Sequence, residues 1–203
     1  MRLGSLEAQR GQLEASVAAF RKARDLRAEI KAMDPRDAPT LRARRDLMIA
    51  QEYLARALRA ADDLPGARAA LNGAVAEAAA IVEENPQDPR SRFTLGQMLE
   101  ALADIEVTAG NLDAAYDAQL QRLDRLNEAA SLAPDDVTIR SAIASAHLSL
   151  GSIRLRQDRA ADAMASLARS VAAFEQMETA DPADARVKTS LATACWELGK
   201  AHL

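Results

Sequence analysis

Apolar residues along this chain recur on two spacings at once. Within a segment they follow a helix: Leu13, Val17, Phe20, Leu26 and Ile30 fall at helical spacing. Between segments they recur with a period of 48, the step from Leu47 to Leu95. Leu47, Leu95, Ile143 and Leu191 form one such set, and Leu54, Leu102, Leu150 and Leu198 a second. Each member of the second set precedes a small residue: Ala55, Ala103, Gly151 or Gly199. Leu3-Gly4 is an earlier copy of the same pair, three positions further back than the period would place it. A fixed period means one supersecondary unit stacked on itself.

Punctuation follows the same period. A recurrent unit opens with Gly or Asp and closes with Pro, at 11–35, 62–86, 110–134 and 158–182. Proline just past a helix end stops it. Two residues later stands Asp37, Asp88, Asp136 or Asp184. Such an Asp caps the free N–H groups of a new first turn. Pro39 and Pro89 follow inside that turn, where a missing N–H does no harm. The pattern predicts a long helix over 12–33, then first helices over 37–60, 88–108, 136–156 and 184–202 with a second helix between each and the next. Three extra residues between Asp37 and Leu47 predict a helix about one turn longer there. Residues 2–9 read as the end of an earlier helix, with a turn at Gly11.

These residues resemble the tetratricopeptide repeat (TPR). Leu150-Gly151, Asp158, Ala163 and Pro182 match its order, as do Leu54-Ala55, Asp62, Ala67 and Pro86. Phe20 and Leu71 stand at its large apolar position. Gln119 departs there, and Leu120 is expected to replace it by a small rotation. The family repeats about every 34 residues. The excess here is 14, or 7 in each helix, which is close to two turns. Two whole turns leave each face aimed at the same neighbour. The resemblance implies an all-α, right-handed α-solenoid of antiparallel helix pairs, about nine helices long. Its repeats would run over 1–35 (partial), 36–86, 87–134 and 135–182, with a terminal helix over 183–203. Apolar residues on that last helix point to an excerpt of a longer protein. The resemblance is to the long-repeat variety of bacterial signalling proteins, often beside a protein kinase domain.

Composition agrees with close helix packing. Of the 203 residues 47 are Ala, and aromatics make up 3%. Four of 26 basic residues are Lys, and such Arg-rich, Ala-rich usage fits a GC-rich bacterial coding sequence. A net charge of −4 argues against nucleic acid as a partner. The single Cys195 excludes an internal disulfide and fits a reducing, cytoplasmic setting. No apolar run reaches membrane-spanning length.

No catalytic, cofactor or metal constellation is legible. His147 and His202 lack further ligands at metal spacing. His147 on a helix leaves a phosphotransfer histidine as a remote alternative, and Cys195 has no evident base beside it. The sequence therefore reads as a non-enzymatic protein–protein interaction scaffold without a cofactor. In the family it resembles, the first helix of each repeat lines a concave wall. The corresponding positions are Ile49, Glu52, Arg56 and Arg59; Gln97, Glu100 and Asp104; Leu148 and Ser152; and Trp196 and Lys200. Arg42, Arg45 and Arg90 would extend that wall along the added turns. The basic run on the helix over 37–60 suggests an acidic or extended peptide as the partner. Alternatively these arginines merely solvate a helix face. A second alternative is self-assembly into a homo-oligomer through the terminal helices. Members of that family that grip a C-terminal carboxylate use Lys and Asn on their first helices, and neither stands on the central first helices here, which disfavours that ligand.

Overall fold

The periodic stop and start signals become helix ends. The computed structural model describes residues 2–33 and 40–203, with side chains from residue 11 onward. Among the described residues there are eight α-helices and no strand: α1 (Arg2–Ala32), α2 (Leu41–Ala60), α3 (Leu64–Glu84), α4 (Pro89–Thr108), α5 (Leu112–Leu132), α6 (Val137–Arg156), α7 (Ala160–Ala180) and α8 (Ala185–Ala201). From α2 onward both sets of helix starts keep one constant step. Leu41, Pro89, Val137 and Ala185 open the first helices, and Leu64, Leu112 and Ala160 the second.

Three aspartates cap as expected. Asp88 accepts from the N–H groups of Arg90 (3.1 Å) and Ser91 (3.2 Å), Asp136 from Thr138 (2.8 Å) and Ile139 (3.2 Å), and Asp184 from Arg186 (2.8 Å) and Val187 (3.3 Å). Each such cap contributes about 1 kcal/mol. Asp37 and Pro39 lie outside the described residues. Helix α2 instead begins at Leu41 with Thr40 as its N-cap, accepting from Ala43 N–H at 3.3 Å. The longer helix expected there is not formed: α2 has 20 residues, like α4 and α6. The three extra residues precede the cap.

The Gly-or-Asp position also has a physical reason. Asp62, Gly110 and Asp158 adopt positive φ of 63°, 79° and 57°. In each case the following N–H returns to a carbonyl five residues back: Asp63 to Leu58 (2.9 Å), Asn111 to Glu106 (2.8 Å), Arg159 to Arg154 (2.9 Å). This is a Schellman stop, which needs a left-handed residue. Gly11 is the exception. Helix α1 runs through it without a break, so the chain has eight described helices rather than nine. Among the described residues, no neighbour outside the local helix backbone lies within 4 Å of where a Gly11 β-carbon would stand. Each added residue gains a helical hydrogen bond, and the helix continues through Gly11.

Two compact units are formed, Met1–Pro86 and Gln87–Leu203. In the first, α1 packs on α2 and α2 on α3. Lys31 of α1 and Arg44 of α2 converge on the buried carboxylate of Glu77 in α3, and Arg44 also reaches Glu84 at 2.6 Å. In the second unit each helix from α4 to α8 packs on the next, and α6 also meets α8. Its largest fully buried apolar side chains are Leu126, Leu150, Leu167 and Phe174. The small residues Ala103, Ala115 and Ala163 are wholly buried. Gly151 is buried too, and a β-carbon on it would lie 3.3 Å from the Ala163 carbonyl.

Leu120 does not replace Gln119. It is 39% exposed, while Gln119 is 2% exposed. The helix keeps its register because Gln119 finds a partner in the core: Arg122 donates to its amide oxygen at 3.2 Å.

Candidate functional site

Helix α2 carries six of the residues singled out from the sequence. Arg42, Arg45, Arg56 and Arg59 are exposed, and Ile49 is 44% exposed. Glu52 accepts from Arg56 at 2.6 Å. Arg44, between Arg42 and Arg45 in sequence, is spent inside the unit. Its pKa is raised: burial lowers it, but the hydrogen bonds it donates to Glu84 and Glu77, with the charges of those carboxylates, outweigh that. Sequence reasoning missed Tyr53. This ring is 46% exposed, stacks on Phe20 of α1 at 5.6 Å, and has the Arg56 guanidinium 5.6 Å from its centroid. Its signal was available: Ile49, Tyr53 and Arg56 lie at i, i+4 and i+7 on one face. An aromatic face with exposed arginines around it suits aromatic and carboxylate groups together.

The second unit treats its share of those residues differently. Arg90 and Gln97 are exposed on α4. Glu100 is held at 2.9 Å by Arg122, whose side chain is only 4% exposed. Burial pushes the Glu100 carboxyl above its usual range, Arg122 pulls it down, and Asp104 adds repulsion. Burial likewise lowers Arg122 against the attraction of Glu100 and Asp104. Glu100 is thus an internal counter-ion, with Arg122 packed over Gly96. Leu148 is half-buried and packs against two core clusters, around Phe174 and around Leu167. Ser152 is half-buried. Trp196 is 71% exposed, and exposed Lys200 pairs with Glu197 at 2.7 Å. Arg154 places its guanidinium 3.5 Å from the Tyr116 centroid, and Gln157 reaches Asp113 at 2.8 Å. These contacts tie the end of α6 to α5.

His147 is half-buried, with Nδ1 enclosed and without a hydrogen-bond partner. Burial, then the positive charge of Arg169, holds its pKa below the usual value. Cys195 is exposed. Among the described residues no group of three or more His, Cys, Asp or Glu could hold a metal, and no helix is long and apolar enough to cross a membrane.

No family model and no curated protein matches the sequence. Solved structures do match the fold. BtubC (BKLC) from P. vanneervenii superposes with a TM-score of 0.63 at 18% identity, over 93% of this chain and 72% of its own. The fold is TPR-like. The TPR-like repeats of a kinesin light chain from Podosopora anserina match with a TM-score of 0.51 at 17% identity, over 97% of this chain and 88% of theirs. In this chain the small residues Gly151 and Ala163 stand where α6 and α7 touch.

Proposed function

We propose that this TPR-like chain is a protein–protein interaction scaffold, without catalytic activity, serving as a regulatory segment of a bacterial signalling protein of the long-repeat variety. The face of α2 takes an acidic, extended partner peptide. The observation that carries this is the set of four exposed arginines, Arg42, Arg45, Arg56 and Arg59, around exposed Ile49 and Tyr53. Apolar anchors rimmed by guanidinium donors match a peptide that alternates apolar and acidic residues. An array of spotted acidic peptides tests it. The wild-type chain should bind a subset that Arg56→Glu with Arg59→Glu loses. Equal binding by both proteins would remove the reading.

Self-assembly is the second reading. It rests on exposed Trp196 of α8 and exposed Leu26, Ile30 and Met33 of α1 and its end. Light scattering decides it, since a monomer at every concentration leaves no room for assembly.

A further inference from the structure

The pairs α2–α3 and α4–α5 each set an arginine against a carboxylate. Arg44 of α2 donates to Glu84 (2.6 Å) and Glu77 (3.2 Å) of α3. Arg92 of α4 donates to Glu128 of α5 at 3.1 Å. Arg140 of α6 stands one period after Arg92, and the α7 residue one period after Glu128 is Gln176. The repeat therefore supplies Arg140 with an amide where its predecessor had a carboxylate. Two more exchanges remove bulk at the same place. Arg125 and Leu132 of α5 correspond to Ala173 and Ala180 of α7.

The result is a cavity of about 230 Å³ lined by Arg140, Ile143, Ala173, Gln176, Met177 and Ala180. Ile143, Ala173 and Met177 are half-buried and make its floor, and the last two also pack on the core around Phe174. Arg140, Gln176 and Ala180 are exposed and form its rim.

We propose that this cavity holds one apolar side chain of a partner peptide, while Arg140 pairs with a carboxylate beside it in that peptide. Size selects the occupant. An apolar cavity of about 150 Å³ admits a benzene ring, whereas pockets for whole drug-sized molecules start near about 300 Å³. The volume here suits a single side chain. Charge selects its neighbour, because the incoming carboxylate supplies what Gln176 does not. The site names a second contact for the scaffold proposed above and rests on that reading for the existence of a protein partner.

The test is an NMR titration of the whole ¹⁵N-labelled chain with N-acetyl-Leu-Glu-amide and N-acetyl-Leu-Gln-amide. The expected result is saturable amide shifts around Ile143, Ala173 and Met177, with the Glu peptide bound about threefold more tightly, the size of an exposed ion pair. Gln176→Glu hands Arg140 an internal carboxylate and should abolish that preference. Ala180→Leu restores the α5 residue and should block both peptides. Circular dichroism checks that both variants keep their helices. The site is overturned by the absence of saturable shifts, by equal binding of the two peptides, or by hexanoate binding as tightly as the Glu peptide. The α2 arginines take no part in this titration, so it stands apart from the peptide-array result.

Discussion

Leu167 lies so close over Gly151 that a β-carbon on the glycine would fall 2.4 Å from its Cγ. Helices α6 and α7 approach there because Gly151 presents only hydrogen to the Leu167 side chain and the Ala163 carbonyl. Gly151→Ala must push Leu167 aside or part the helices, at a cost of about 1–3 kcal/mol. Ala115→Leu should cost a similar amount, about 1–3 kcal/mol, since Ala115 is wholly buried. Urea denaturation measures both. Wild-type midpoints for either variant would show that the small positions do not set the helix spacing.

The Glu100–Arg122 pair makes an opposite pair of expectations. Glu100→Ala leaves a buried guanidinium without its counter-ion and should destabilise by about 1–3 kcal/mol. The preceding repeat shows an apolar solution: Leu71 stands where Gln119 does, and Ala74 where Arg122 does. Replacing the whole set, Gln119→Leu with Arg122→Ala and Glu100→Ala, should return stability to within about 1 kcal/mol of wild type, because removing every buried charge removes the desolvation cost. A triple variant as unstable as Glu100→Ala would mean that the polar network is needed to hold α4 on α5.

The left-handed turn residues differ only in side chain. Gly110 adopts its φ of 79° without strain, whereas Asp158 holds a φ of 57° against its own β-carbon. Gly110→Ala should lower stability and Asp158→Gly should raise it, each by about 1 kcal/mol. Thermal melts that move the same way for both would contradict the Schellman assignment.

His147 gives a pH dependence with a definite sign. Its folded pKa lies below 6.5, through burial first and Arg169 second. The unfolded chain therefore takes up a proton before the folded chain does. Stability contributed by the neutral imidazole is present above pH 6.5 and is lost as pH falls below it. His147→Gln should flatten the curve of melting temperature against pH as pH falls below 6.5. An unchanged slope would assign that dependence to other groups.

Much of the helical order was legible because it depends on neighbours in sequence. Asp88, Asp136 and Asp184 cap their own first turns, and Asp62, Gly110 and Asp158 end the helices just before them. Gly11 looked the same and is not a turn, since α1 runs through it. Leu120 was also misplaced. Its outward position depends on Arg122 satisfying Gln119, a contact that apolar periodicity does not register.

The candidate site was less legible. Arg42, Arg45, Arg56 and Arg59 are exposed, yet Arg44 among them is consumed by Glu77 and Glu84 on another helix. Glu100 and Leu148 look equivalent along the period, but one pairs with a buried arginine and the other packs into core. What the amino-acid sequence determined alone was the repeating helical plan, since helix length, caps and stops are written in residues only a few positions apart. What tertiary structure decided was which charges face solvent and where a cavity opens, since those depend on side chains brought together from separate helices.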